Sequence, residues 1–458
     1  MKTDIIILAA GKGTRMKSSL PKVLHRLAGK PLLQHVIDSA KNVNDANIVI
    51  VTGHGSEEVR AAISGNESKH QISYVEQNEQ LGTAHAVQMA VPNLGSGGTT
   101  LILYGDVPLI LPETILEMLS AVSDNSMSLL TVELKDPTGY GRILRDKLGH
   151  VTAIVEQKDA SAEQLKVNEV NTGVLALQTE QLKKWLPEIN NNNAQGEYYL
   201  TDLIALARAN GVNIETKQPQ SVEEVEGVNN RLQLSCLERF YQKQQAENLM
   251  MAGITLADPS RIDIRGNLSS GCDTFIDING VFEGKVTLGS NVFIGPNCLI
   301  IDSDIGDGVE IKANSVVEKS KIDTNAVIGP FARLRPGTVV AENAKVGNFV
   351  EIKNTKLGKG SKINHLSYVG DSELGDDVNV GAGTITCNYD GVNKHKTIIG
   401  DNSFIGSNTS LVAPVKIGKN ATVGAGSTIT KDIPDDQLGL TRASQKTISD
   451  WQRPTKKS

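Results

Sequence analysis

The sequence predicts two folds in one chain. An α/β domain with a mainly parallel sheet comes first, then a helical connection, then a parallel β-helix of hexapeptide repeats. Three observations carry this. Apolar strand-like runs alternate with helix-like segments in the first half. Aliphatic residues recur every sixth position in the second. A polar stretch free of Gly and Pro lies between them.

Residues 1–230 supply the alternation. Ile5–Ala9 reads as a buried strand, and Leu32–Ala40 has helical spacing after Pro31. Ile48–Thr52 is a strand, Val59–Ile63 and Thr83–Met89 are helical, and Thr100–Tyr104 is a third apolar strand. Glu113–Ala121 is helical and Ser128–Leu134 a strand. Strands alternating with helices imply a mainly parallel sheet. Ligands in such sheets sit beyond the carboxyl ends of the strands, which selects the loop after Ala10 and the Gly105-Asp106 pair. Residues 231–251 favour one connecting helix, up to Gly253.

Residues 252–458 hold the repeat. Ile322, Ile328, Leu334, Val340, Val346 and Ile352 form one ladder; Ile399, Ile405, Leu411, Ile417, Val423 and Ile429 form another. Shorter runs lie at Leu288, Ile294, Ile300 and at Ile305, Ile311, Val317. A period of six fits neither an amphipathic helix nor an alternating strand, and is the signature of a hexapeptide β-helix. Each aliphatic residue points inward, and the Gly that often follows serves a left-handed or crowded corner. Of the 43 glycines, 25 fall from Gly253 on. Cys387–Thr397 interrupts the hexads, and such insertions leave a solenoid as loops that often carry function. The tail after Pro434 departs from the repeat and ends in a basic cluster with Arg453, Lys456 and Lys457, read as a solvated end.

At 21% charged and 39% hydrophobic residues, with a net charge of −6 and no basic stripe, the chain is expected to be soluble and not to bind nucleic acid. Nothing approaches the ~20 apolar residues of a membrane span, and the opening MKTDIIILAAGKGTRM does not read as a signal peptide. Cys236, Cys272, Cys298 and Cys387 are far apart and form no C-x-x-C, which suggests a reducing cytoplasm.

The first loop, LAAGKGTRM from Leu8 to Met16, carries small residues after a strand, where backbone N–H groups can approach phosphate. Lys12, Arg15 and Lys22 add positive charge. The loop is neither a dinucleotide fingerprint nor a P-loop. On glycine spacing alone, a phosphate loop and a structural turn both remain open. Asp106 alone reads equally as a metal-holding carboxylate or a turn residue. His365, two residues past the ladder residue Ile363, alone reads as an edge residue bonded to a neighbour.

The string LAAGKGTRM with Lys22 resembles the opening of sugar-nucleotide pyrophosphorylases. Together with EQLGTAHA (79–86), LYGDVPL (103–109), DPTGYGRI (136–143), EVNTG (169–173), NNNAQGEYYLTD (191–202), EVEGVNNRLQLS (224–235), GPFARLRPG (329–337) and GAGTITCNYDG (381–391), the whole chain resembles the bifunctional GlmU family. That family joins N-acetylglucosamine-1-phosphate uridyltransferase to glucosamine-1-phosphate N-acetyltransferase. The resemblance implies a Rossmann-like nucleotidyltransferase domain, a left-handed β-helix, a homotrimer and acetyltransfer sites built between subunits. In the first half it implies that Asp106 and Asn229 hold Mg²⁺ and that Arg15 and Lys22 balance phosphate charge. Leu8, Ala9, Ala10, Gly11, Gln77, Gly82, Thr83, Tyr104 and Gly105 would surround UTP, with Gln77 reading uracil and Gly82 removing a side chain beside the base. Gly141, Glu156 and Asn171 would hold N-acetylglucosamine. In the second half it implies His365 as general base, Arg335, Lys353, Tyr368 and Asn379 on the sugar phosphate, and Ala382, Asn388, Tyr389, Ser407, Ala425 and Arg442 on acetyl-CoA. Two other readings stand beside this one. One is a single-activity pyrophosphorylase whose β-helix only oligomerises or regulates, against which His365, the inserted loop and Arg442 speak. The other is a scaffold with two decayed sites, against which the full ligand sets speak.

Overall fold

The computed structural model describes residues 2–63 and 72–456. They form two compact units divided between Tyr241 and Gln242. Of the basic tail cluster, Lys457 lies outside the described residues, while Arg453 and Lys456 are exposed.

The first unit is built on a twisted sheet of β1 (Thr3–Ala9), β2 (Asn47–Thr52), β3 (Ile72–Glu76), β4 (Thr99–Tyr104), β5 (Ser126–Glu133), β6 (Arg142–Arg145), β7 (Val151–Val155), β8 (Glu169–Gln178) and β9 (Asn213–Lys217). Its order is β9-β5-β8-β4-β1-β2-β3, with β6 pairing both β8 and β7. β1, β2, β3 and β4 run parallel, whereas β8 is antiparallel to both of its neighbours. β1 is central and covered on both faces, which is why Ile5–Ala9 is an unbroken apolar run. Ile5 and Ile7 enter one core and Ile6 and Leu8 the other. Helix α1 (Leu32–Ala40) adds Leu33, Val36, Ile37 and Ala40 to the first core, the spacing of a single helical face.

The second unit is the β-helix. Pairings Glu310↔Val327, Val327↔Lys345 and Lys345↔Lys362 put successive coils 17 or 18 residues apart, three hexads or one residue fewer. Every ladder residue named above is no more than 3% exposed, so the repeat builds one continuous apolar column. The corners divide labour in a way that the glycine pattern did not anticipate. Left-handed backbone falls mainly to Asn and Asp, as at Asn279, Asn297 and Asn314. Their amides form a ladder, Asn279 donating to Asn297 at 2.8 Å and Asn297 to Asn314 at 3.2 Å. The glycine after an aliphatic residue mostly answers crowding instead. A Cβ on Gly347 would lie 2.0 Å from the Asn364 carbonyl of the next coil.

The insertion is visible in the register. Asn379 pairs with Phe404, 25 residues on, where 17 separate Lys362 from Asn379, leaving 25 − 17 = 8 extra residues. They sit between the strands Ile385–Cys387 and Thr397–Ile399.

One helix, Arg231–Met251, passes through the division between the units. Its first half belongs to the first unit: Leu237 is buried beside Leu27 and Leu32, Glu238 accepts the Ala28 N–H at 2.6 Å, and Tyr241 meets His35 edge-on. Its second half belongs to the β-helix. The Gln242 amide bonds both the N–H and the C=O of Ile264, and Ala246 and Leu249 cap the apolar column. Among the described residues, no helix is long and apolar enough to cross a membrane.

Candidate active sites

A cavity of about 310 Å³ opens at the carboxyl ends of β1 and β4. Of the residues singled out in the sequence, Leu8, Ala9, Ala10, Gly11, Lys22, Gln77, Gly82, Thr83, Tyr104 and Asp106 line it. Gln80 and Glu197, which sequence reasoning missed, line it too; the Gln80 amide donates to the Ala10 carbonyl at 2.6 Å and fixes the loop. Gln77 is buried, and its NH₂ group is turned to the Gly82 carbonyl and His85 Nδ1, both at 3.1 Å. Its Oε1 is thereby left as an acceptor. Gly82 has φ +120°, and a Cβ there would lie 2.5 Å from the Tyr198 carbonyl, so glycine is required by a close backbone crossing. The Tyr104 phenol is pushed up by burial and by Asp106 and Glu156, so it stays a proton donor.

Asn229 reaches this site from the far end of the domain. The Val228 N–H donates to the Asp106 carbonyl at 2.9 Å, pinning its loop to the end of β4. Asn230 accepts the Gln233 N–H at 2.9 Å, the N-cap of the long helix. The Asn229 Oδ1 accepts from Arg15 at 2.9 Å and from Lys22 Nζ at 3.3 Å, and Lys22 also bonds the Asp106 carboxylate. One ammonium thus reaches an oxygen of each residue. Two hard oxygens converging on one cation fit a divalent ion that keeps much of its water. Among the described residues, no group of three or more His, Cys, Asp or Glu forms a closed cage.

Gly141, Glu156 and Asn171 also come together. Gly141 precedes β6, Glu156 follows β7, and the two strands pair at Arg142↔Val155. The Asn171 N–H donates to the Gly141 carbonyl at 2.9 Å, beside an irregularity in β8 between Asn171 and Leu175. Burial pushes the Glu156 carboxyl up; a Thr201 hydrogen bond opposes the shift, and Asp159 and Asp202 add to it. An acid raised on folding holds its proton more tightly in the folded state. Its stabilising share is complete below the ordinary glutamate range and is lost as pH rises through the raised value. Glu156→Gln is therefore expected to raise the first unit's thermal midpoint by a few degrees at pH 7.5 and not at pH 4. Calorimetry at the two pH values checks this expectation.

In the β-helix, His365 ends the strand Lys362–His365 and is exposed. Its Nδ1 meets Asn348 Oδ1 at 2.6 Å. Because that oxygen only accepts, Nδ1 carries the proton and Nε2 keeps a free lone pair. Asn348 lies one coil before His365, so counting 17 residues back finds it in the sequence. The column continues upward. Gly383 N–H donates to the His365 carbonyl, Asn408 N–H to Ala382, and Gly426 N–H to Ser407. Asn348, His365, Ala382, Ser407 and Ala425 therefore stack at one corner of successive coils. The left-handed corner residue beside them changes along the column. It is Phe331, Phe349 and Leu366 up to His365, then Gly383, Asn408 and Gly426 above it. Bulky apolar corner residues thus stop at His365 and give way to Gly and Asn above it, and Arg442 Cδ lies 3.9 Å from where a Gly426 Cβ would be.

On the adjoining face, Arg335 donates to Glu351 at 2.9 Å, and Tyr368 pairs with Glu351 in register. The neighbouring Lys394 ammonium pushes Lys353 down, with a smaller contribution from Arg335, while Asp371 opposes the shift. Lys394 comes from the inserted loop and was not singled out in the sequence. Three crowded cations make a cluster suited to an anion. Asn379 is set apart, on the strand paired with that of His365. The inserted loop is a closed turn. Asn388 is buried and donates to Asp371 at 2.5 Å, exposed Tyr389 bridges to Lys394, and Asp390 bonds His395 at 2.7 Å.

A cavity at the ends of parallel strands, followed in the chain by hexapeptide coils bearing an exposed imidazole, defines a two-unit transferase. Residues 5–167 match the MobA-like NTP transferase domain, residues 285–319 the hexapeptide repeat of succinyl-transferase, and residues 396–431 the bacterial transferase hexapeptide (six repeats). The chain is 58% identical over 452 residues to bifunctional protein GlmU of Marinobacter nauticus, covering 99% of each. It is 56% identical over 457 residues to that of Idiomarina loihiensis, covering 100% of this chain and 99% of the relative. It is 58% identical over 455 residues to that of Cellvibrio japonicus, covering 99% and 100%. The chain belongs to the GlmU family of bifunctional proteins, enzymes that join a nucleotidyltransferase to a hexapeptide-repeat acyltransferase.

Proposed function

We propose that the chain makes UDP-N-acetylglucosamine in two steps. The β-helix moves the acetyl group of acetyl-CoA onto the amine of glucosamine-1-phosphate. The first unit then moves a uridylyl group from UTP onto the N-acetylglucosamine-1-phosphate, releasing pyrophosphate. The observation that carries this is the convergence, in each unit, of groups remote in sequence onto one small volume. Lys22, Asp106 and Asn229 meet at the first cavity, and on the β-helix Asn348 meets His365 while Arg335, Lys353 and Lys394 crowd together.

In the uridylyl step a phosphate oxygen of the sugar attacks the α-phosphorus of UTP and pyrophosphate departs. No covalent enzyme intermediate is needed, so positioning and charge neutralisation are the protein's work. Leu8 to Gly11 cradle the nucleotide, the Gln77 acceptor reads the uracil N–H, and Gly141, Glu156 and Asn171 hold the sugar. Lys22 and Arg15 face the phosphates. Mg²⁺, held by Asp106 and Asn229, would supply charge neutralisation at the phosphates. In the acetyl step His365 Nε2 takes a proton from the amine as it attacks the thioester carbonyl, and the CoA thiol leaves. Arg335, Lys353, Tyr368 and Lys394 receive the sugar phosphate. Asn388, Tyr389, Ala382, Ser407, Ala425 and Arg442 line the acetyl-CoA path.

A homotrimer completes the second site. Phe331, Phe349 and Leu366 are 49%, 56% and 63% exposed and adopt left-handed backbone that bulky side chains seldom take. An apolar column of this kind beside His365 suits coverage by a second copy of the chain. UTP and acetyl-CoA as substrates support a cytoplasmic enzyme.

The test is two assays on the full-length protein. Pyrophosphate release should require UTP, N-acetylglucosamine-1-phosphate and a divalent cation; free thiol should appear from acetyl-CoA and glucosamine-1-phosphate. Thiol release failing alone leaves a single-activity pyrophosphorylase, and both failing leaves a scaffold. Sedimentation equilibrium should give three times the 49.0 kDa chain mass.

A further inference from the structure

We propose that Lys22 is a resident cation of the uridylyltransferase site. Its ammonium occupies the position between Asp106 and Asn229 that the divalent metal takes, and it moves onto the phosphates when nucleotide and metal arrive together. This rests on the reading that Asp106 and Asn229 are the metal's protein ligands.

The geometry is specific. Lys22 Nζ donates to Asp106 Oδ2 and to Asn229 Oδ1, so one ammonium bridges the two oxygens assigned to the metal. Arg15 donates to the same Asn229 oxygen at 2.9 Å, so that oxygen already faces two cationic donors. The Lys22 and Asp106 side chains are only 13% and 16% exposed, so water screens the pair weakly. A divalent ion and an ammonium cannot share these oxygens without strong repulsion, so metal entry requires the ammonium to leave.

The side chain is built to leave. Its base is fixed in the short turn Lys22–Leu24, after Pro21. It packs so closely on Gly13 that a Cβ there would lie 2.7 Å from the Lys22 Cβ. The flexible stem beyond can turn while the backbone stays. Lys22 also lines the cavity with Ala10 and Gly11, so the freed ammonium turns toward the nucleotide's phosphates. Without a nucleotide, metal entry would expel the ammonium with no anion to receive it. With one, the phosphates receive it. Metal and nucleotide thus bind cooperatively, and by linkage each raises the other's affinity by the same factor.

Mn²⁺ titration of the full-length protein, followed by electron paramagnetic resonance without nucleotide, tests this. Wild type should bind weakly. Lys22→Met should bind at least tenfold more tightly, because the competing cation is gone, and Lys22→Arg should stay weak. Lys22→Gln, whose amide still bonds Asp106, replaces the Met variant if that fails to fold. A non-hydrolysable UTP analogue should tighten Mn²⁺ binding strongly in wild type and much less in Lys22→Met. Asp106→Asn should lose the site. If Asp106→Asn abolishes binding but neither neutral Lys22 variant tightens it, the resident-cation proposal is wrong and the metal site stands. If Asp106→Asn binds Mn²⁺ like wild type, the metal-site reading itself fails.

Discussion

Replacing His365 with alanine is expected to lower acetyl transfer to glucosamine-1-phosphate by ~10²–10⁴-fold, the usual worth of a general base, and to leave uridylyl transfer at the wild-type rate. The size follows from what stands near the imidazole. Asn348 fixes Nδ1 as the protonated nitrogen, so Nε2 is left as a ready acceptor. The Asn348 contact runs between strands of adjacent coils whose inward residues Val346 and Ile363 are fully buried, so the frame survives loss of the ring. His365 is exposed, so the substitution opens no core cavity and the thermal midpoint should hardly move. Added imidazole should restore part of the rate if a base is all that was lost. Asn348→Ala should cost less, because the wrong tautomer is then populated only part of the time. A His365→Ala enzyme that still releases thiol at the normal rate would make the β-helix a scaffold and leave the single-activity reading.

The path from sequence to fold was direct wherever one residue reports on one environment. A six-residue period is visible because each ladder residue is enclosed on every side, and the apolar run of β1 is visible because its strand is covered on both faces. Helix α1 has the bounds its spacing implied, Leu32–Ala40. Less was visible where the cause lies one coil or one strand away. The crowding at Gly347 comes from Asn364, and the close crossing at Gly82 from Tyr198. The antiparallel setting of β8 depends on partners that its own pattern does not name. The helix Arg231–Met251 read as a plain connection because its apolar residues serve two cores in turn, Leu237 one and Ala246 the other, so no single stripe forms. Site residues followed the same division. Several in contiguous strings, such as Gly82 and Asp106, were singled out through the resemblance, yet Gln80 and Glu197 were passed over although EQLGTAHA and NNNAQGEYYLTD contain them. Asn348 and Lys394 were missed because register or loop closure brings them in, although a 17-residue count would have reached Asn348.

Asp106→Asn is expected to lower uridylyl transfer by ~10³-fold or more while leaving acetyl transfer intact. Asparagine keeps the shape and one acceptor oxygen but removes the charge that a hard cation needs. Two effects must be separated, because Lys22 loses its counter-charge in the same step. Their contact is well shielded, and an ammonium left without its carboxylate in such a place destabilises the fold as well as the site. Stability and metal binding respond to different variables. Extra Mg²⁺ should recover part of the rate if a ligand was weakened, and should do nothing if the loop 226–229 has come loose. That loop is held through backbone atoms, Val228 N–H to the Asp106 carbonyl, which the substitution leaves in place. Asn229→Ala gives the contrast. It removes the neutral member of the oxygen pair and leaves the Lys22–Asp106 contact, so its loss should be smaller, about 10–10²-fold, with a larger share recovered by Mg²⁺. If Asn229→Ala proves as damaging as Asp106→Asn and neither responds to metal, the two residues act by holding Lys22 and Arg15 in place, and the divalent ion must be bound elsewhere.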